Sequence, residues 1–270
     1  LAPVILAAEC DVANEVICAP ASVNELFEFQ TVFTIGTFEV TRTEILMFFA
    51  AFVVLALFYF GFRQQRLVPS KFGVAMEGMV GFVRDGIGRD VIGPESSKYL
   101  PYLLAMFSFL LVGNLFSITP GINFPITSRM AIPAFLALVT YWIFVIVGFK
   151  KNHFRYLIDT AWPKAVPIGL RWLVGLIELV SIFLLRPITL AVRLFANMVA
   201  GHLMLTLLLG SGVIFVLAIP EIGVKGAVGF FWFGLGLFMY VLEILIAVLQ
   251  AYIFTLLTAI YIESSIHFEH

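Results

Sequence analysis

The chain has 270 residues, of which 61% are hydrophobic and 12% charged, with a formal net charge of −1. Its mean hydropathy is +1.05, whereas a soluble domain is about a quarter charged, so the composition excludes an ordinary soluble protein and points to a lipid bilayer. Near-neutrality removes the basic field that nucleic acid would require, and no nucleic-acid partner is expected.

Residues 1–44 hold seven acids, a single basic residue (Arg42) and both cysteines, Cys10 and Cys18. The opening LAPVILAA is apolar, but it is short and lacks a basic start, so it reads as neither a signal peptide nor a span. The two cysteines leave a disulfide and a pair of free thiols both open.

Three uncharged runs follow that are long enough to cross a hydrocarbon core of ~30 Å as helices: 45–62 (ILMFFAAFVVLALFYFGF), 99–118 (YLPYLLAMFSFLLVGNLFSI) and 130–149 (MAIPAFLALVTYWIFVIVGF). Membrane strands would alternate polar and apolar residues in shorter segments, and these runs are continuous. Between the first two, Phe72, Met76, Met79 and Val83 recur at helical spacing among charged residues. Segment 63–98 therefore reads as an amphipathic helix on the cytoplasmic face. A solvated linker is the competing reading, because five glycines (73, 78, 81, 86 and 88) weaken any helix there.

Sidedness follows from the Lys and Arg counts: one in 1–44, six in 63–98, one in 119–129 and five in 150–171. Positive charge stays on the cytoplasmic side, so the N-terminus is expected outside and the C-terminus inside.

The last hundred residues differ from the rest. From Ile168 to Ile219 the chain is apolar and helix-compatible for 52 residues, about 78 Å of helix, and Gly226–Ile262 adds 37 residues, about 55 Å. Breakers in PEIGVKG turn one run into the other, which makes 168–262 an antiparallel hairpin. Each arm is too long to stand upright. Either it breaks, at Pro187 in the first arm and at Gly229, Gly234 or Gly236 in the second, or it lies steeply tilted. A tilted hairpin exposes a long side, and a large partner in the membrane would cover it.

Few ionisable groups interrupt this hairpin: Glu178, Arg186, Arg193, His202 and Glu243, with Asn197 and Gln250 as neutral polar companions. A charge at mid-membrane costs roughly 2.5–3.5 kcal/mol on insertion scales, so each one needs a reason. Pairing residues across the turn by a nearly constant sum of their numbers puts His202 level with Glu243, Arg193 nearly level with Gln250 and Glu178 level with His267. At about 100° per residue, Asn197 shares a face with Arg193, while His202 faces the opposite way. Imidazole and carboxyl groups exchange protons near neutral pH once their surroundings shift them, but guanidinium keeps its proton. The pattern suggests two proton paths kept apart by Arg193. The competing reading makes Arg193–Glu178 and His202–Glu243 two buried ion pairs.

"RPITLAVRLFANMVAGH", "LQAYIFTLLTAIYI" and the terminal "FEH" resemble subunit a of the F-type ATP synthases. The likeness is close over 165–270, weaker over 99–150 and slight over 1–98. It implies an all-α polytopic membrane protein, a single membrane domain over 1–270, whose steeply tilted C-terminal hairpin packs against a rotating ring of c subunits. Peripheral-stalk b-type subunits would be further partners, in an energy-transducing membrane such as the bacterial plasma membrane. Arg193 matches the family's essential arginine, Asn197 and Gln250 match its polar flank, and His202 and Glu243 match the outer half-channel pair. Glu178 and Ser181 resemble the inner-channel residues, and Asn114 and Ser117 resemble contributors to the outer path. For those last two, a helix cap or an interhelical hydrogen bond is an equal alternative.

Two departures stand out. The acid and the histidine have exchanged helices, and Glu178 lies one residue further from Pro187 than the family pattern has it. The resemblance implies no cofactor and no metal, and a non-catalytic, proton-translocating role in ATP synthesis. A self-contained secondary transporter is the main alternative, although it favours repeated halves that the chain lacks. An intramembrane hydrolase would rest on His202 and Thr206 alone.

Overall fold

The computed structural model describes residues 17–18, 31–35, 38–63, 70–119, 122, 126–153, 160–162 and 167–266. Cys10 and His267 lie outside these. Strands β1 (Thr31–Ile35) and β2 (Phe38–Thr41) pair antiparallel, with Phe33 opposite Val40 and Ile35 opposite Phe38. Among the described residues the longer α-helices that follow are α1 (Arg42–Phe62), α2 (Lys71–Val83), α3 (Leu100–Ile118), α4 (Ala131–Asn152), α5 (Ile168–Val180), α6 (Arg186–Leu217) and α7 (Val228–Ile266), with one short turn of helix, Ile219–Ile222, between the last two. The architecture is helical, as expected, with that one small hairpin added before α1. Among the described residues five stretches are long and apolar enough to cross a membrane: Arg42–Phe62, Leu100–Ile118, Ala131–Lys151, Gly169–Leu217 and Gly223–Ile266.

Local chemistry explains where the helices start. Thr41 precedes α1, and the Glu44 carboxylate accepts from the Thr41 backbone N–H at 2.8 Å, one half of a capping box. Ser70 caps α2 by accepting from Gly73 N–H at 3.1 Å. Within the amphipathic segment, Met76 and Val83 are buried while Lys71 and Glu77 are exposed. Phe72, expected on the apolar face, is exposed. Beyond α2 the backbone ladder widens into a π-helical stretch, Arg84–Ile92, and then tightens into a 3-10 turn, Gly93–Lys98. The two meet at Gly93, whose φ of +77° is a conformation that other residues rarely adopt. On its exposed side Arg84 hydrogen-bonds Asp85 and holds that carboxyl below the usual carboxylate range.

The chain forms two compact units. The first comprises residues 1–48, 113–128 and 196–248. In it the far part of α6 packs against the first half of α7, and glycines set the spacing. A Cβ built on Gly212 would lie 2.8 Å from the Phe233 backbone nitrogen, and one on Gly229 would lie 2.7 Å from that of Val216. One on Gly236 would meet Leu209 at 2.6 Å. Small residues let two backbones meet where apolar packing against lipid supplies no net drive. Gly229 and Gly236 therefore serve close approach rather than a bend, and α7 runs unbroken for 39 residues, about 58 Å. The turn joining the arms passes through Gly223 at φ +57°, a conformation that other residues rarely adopt.

The second unit comprises residues 49–112, 129–195 and 249–270. Its core joins Leu103 and Leu110 of α3, Phe144 of α4, Leu194 of α6, and Phe254 and Ile262 of α7. Tyr102 and Thr140 share a 2.7 Å hydrogen bond between α3 and α4. Lys151 pairs with Glu95 at 2.8 Å on the exposed surface, where such a pair contributes about 0–1 kcal/mol.

Candidate functional site

In the first unit, helices α3, α6 and α7 bring polar side chains into an apolar interior. Glu243 of α7 and His202 of α6 are 3% and 4% exposed, and Asn114 and Ser117 of α3 are fully buried. Ser117 Oγ donates to Glu243 Oε1 at 2.8 Å. Asn114 Nδ2 donates to the Ala247 carbonyl, one turn further along α7, at 3.3 Å. Among the described residues nothing bonds Glu243 Oε2. A buried carboxyl with one satisfied oxygen and one open one has a free position for a proton or a water, since an unmade bond in such surroundings is costly.

The expected level of His202 and Glu243 can be compared with the packing. Gly212 meets Phe233, Gly229 meets Val216 and Gly236 meets Leu209, and each pair shares the sum of residue numbers that His202 and Glu243 have. A Cβ on Gly201 would lie 3.5 Å from Glu243 Oε1, so the carboxylate rests against α6 beside His202. Asn114 and Ser117 are not simple helix caps, because both donate to α7. Thr127, which sequence reading did not single out, is buried and donates to Asn114 Oδ1 at 3.3 Å. Tyr240 donates to the Ile118 carbonyl at 3.0 Å. Neither had a periodic signal to reveal it. A third contact joins Cys18, which is disulfide-bonded, to Ser211: the Cys18 N–H donates to Ser211 Oγ at 3.0 Å.

In the second unit Arg193 is treated differently. Its side chain is exposed, and among the described residues no hydrogen bond or ion pair engages it. The Arg193–Glu178 ion pair considered above does not form. The two residues lie fifteen positions apart along one helical run, about 22 Å. Gln250, on α7, is 8% exposed. Glu178 and Ser181 are half-buried. Arg193 has exposed neighbours at helical spacing, Thr189 and Leu185 behind it. The next exposed positions on α6, Ala196 and Ala200, are small. Among the described residues no group of His, Cys, Asp and Glu is arranged to hold a metal ion.

The family model described as ATP synthase A chain matches residues 45–263. The chain belongs to the ATP synthase A chain family. A relative from Pseudarthrobacter chlorophenolicus named ATP synthase subunit a is 39% identical, covering 92% of this chain and 93% of its own length. One of the same name from Frankia alni is 40% identical, over 95% and 92%. Another, from Acidiphilium cryptum, is 36% identical, over 92% and 98%. Membership makes this a membrane subunit of an F-type ATP synthase, the stator subunit a, working in proton transport coupled to ATP synthesis. The match starts at residue 45, so the β-hairpin and Cys18 lie outside the region the family model covers, while Ser211 lies within it.

Proposed function

We propose that this chain supplies two offset proton half-channels to a ring of c subunits, and the cation that separates them. Protons enter from outside past His202 and Glu243, with Ser117 and Asn114 lining the path. They pass to a carboxyl group on the ring beside Arg193, travel with the ring, and leave inside past Glu178 and Ser181. Asn197 and Gln250 flank Arg193 and orient the groups that pass it. The N-terminus lies outside and the C-terminus inside, in the bacterial plasma membrane, and peripheral-stalk b-type subunits hold the chain against rotation. Each proton that crosses 100 mV releases about 2.3 kcal/mol, which rotation carries to the catalytic subunits.

The observation that carries this reading is the exposure of Arg193 on an apolar helix while Glu243 and His202 are buried. An unpaired guanidinium facing lipid is disfavoured by several kcal/mol, so an anionic partner surface is what makes its position tolerable. Small exposed Ala196 and Ala200 permit close approach of another helix. An arm of about 58 Å is also nearly twice as long as the ~30 Å hydrocarbon core is thick, which favours a tilted course along a large partner.

The test is Arg193→Ala in the assembled complex, with ATP-driven and passive proton flux measured in vesicles. Coupled pumping is expected to vanish while assembly persists. Intact pumping would make Arg193 a structural residue and sink the proposal.

A further inference from the structure

Between α5 and α6 the helical ladder opens into a π turn, Ser181–Leu185. Its cause is local. Pro187 has no N–H to offer the Phe183 carbonyl, and its ring crowds that oxygen, so the preceding turn widens. The Arg186 N–H closes the widened turn by donating to the Ser181 carbonyl. A π turn accommodates an extra residue without ending the helix, and it turns everything before it by roughly 100° relative to everything after.

The Arg186 side chain reaches the far end of α7. Nη1 donates to Ser264 Oγ at 2.9 Å, and Cζ sits 5.0 Å from the centre of the Tyr261 ring. Ser264 Oγ in turn donates to the Tyr261 carbonyl at 3.0 Å, so its lone pair is free to accept from the guanidinium. From Tyr261 a chain of ring contacts leads back to the π turn: Tyr261 meets Phe144 at 5.9 Å, Phe144 meets Tyr141 at 5.4 Å, and Tyr141 meets Phe183 at 6.3 Å. The circuit starts at Arg186, on one end of the turn, and ends at Phe183, inside it.

We propose that Arg186 is a positioning residue: it clamps the π turn to the end of α7 and so sets the rotation at which Glu178, before the turn, and Arg193, after it, are presented. Pro187 keeps the turn open whatever the clamp does, but without the clamp the widened turn is no longer fixed against α7, and Glu178 is free to swing relative to Arg193 by up to about one residue's rotation. Arg186 itself exchanges no proton. The inference rests on the reading of Glu178 and Arg193 given above.

The test uses the assembled complex in vesicles, with ATP-driven pumping and subunit assembly measured together for Arg186→Gln, Arg186→Lys, Tyr261→Phe and Tyr261→Leu. A misplaced group far from the chemistry can cost up to about a hundredfold in rate, so Arg186→Gln is expected to lower pumping about tenfold or more in complexes that assemble. Arg186→Lys, which keeps a cation over the ring, restores most of it. Tyr261→Phe pumps like the parent, and Tyr261→Leu reproduces the loss. Combining Arg186→Gln with Tyr261→Leu lowers pumping no further than either change alone. Parental pumping by Arg186→Gln overturns the proposal. Should Arg186→Gln fail to assemble, parental pumping by Tyr261→Leu overturns it instead. Arg193→Ala, run alongside, separates the two failures: if it pumps normally, the function reading has failed, and if it is silent while Arg186→Gln is normal, only the clamp has failed.

Discussion

Glu243 and Arg193 are both ionisable residues on one apolar hairpin, and the fold treats them oppositely. Glu243 is enclosed, with Ser117 on one oxygen and Gly201 against its carboxylate. Arg193 is exposed and engages nothing among the described residues. A group that must take up and give up protons benefits from surroundings that hold it in place while leaving one oxygen open. On the proposed function, Arg193 acts on another chain and has to reach that chain's surface. The contrast teaches that a charge inside a membrane protein is explained by what it faces; on the proposed function, burial suits the proton carrier and exposure the residue that meets the ring.

Three changes sharpen or break this comparison. The largest effect is expected at Glu243→Gln, which keeps the side chain's size but removes its titration. Proton transfer by a positioned side chain typically contributes 10²–10⁴-fold. Coupled pumping and passive flux through the membrane sector should therefore both fall by about a hundredfold, with assembly unchanged. Parental flux would mean that Glu243 is only a buried structural acid.

A smaller effect is expected at Ser117→Ala, which removes the 2.8 Å bond to Glu243 Oε1. Hydrogen bonds to charged groups contribute about 1.5–3 kcal/mol, so a roughly tenfold loss of pumping is expected, with Ser117→Thr retaining activity. An equal loss in both variants would point to packing at this position rather than to the hydroxyl.

The smallest effect on transport is expected at the helix contact itself. A methyl at Gly212 would lie 2.8 Å from backbone of α7, whereas one at Gly201 would make an ordinary 3.5 Å contact with the Glu243 carboxylate. Gly212→Ala should destabilise the hairpin by about 1–3 kcal/mol, as overpacking does, visible as a lower melting temperature of the purified complex. Gly201→Ala should leave that temperature unchanged. Identical melting of the two variants would count against the close approach of α6 and α7.

Much of this architecture was legible in the sequence because a membrane leaves few choices. Continuous apolar runs must become helices to satisfy their own backbone, and two long runs joined by PEIGVKG must turn back on each other. The level of His202 with Glu243 was legible for a related reason: a short turn leaves the constant rise of two antiparallel helices as the only ruler. The polar cluster was half legible. Asn114 and Ser117 stood out as polar residues near a helix end, but Thr127 and Tyr240 did not, and Arg186 stood out only as a charge and not by its contact, since the partners of these three are 13, 122 and 78 positions away and no periodicity encodes such contacts. The β1–β2 hairpin was not legible, because strands of five and four residues are too short for their alternation to stand out in a sequence.

Sequence alone determined the class, the apolar spans, the hairpin and which residues are candidates to carry protons, because hydropathy, charge and helical rise act locally or along a straight axis. The tertiary structure decided which of those residues are enclosed and which are exposed. It also decided that α7 stays unbroken through its glycines, and that the Pro187 region opens as a π turn held by Arg186. Those outcomes depend on how side chains from distant segments fill the space between helices, and that is a property of packing, which no single segment contains.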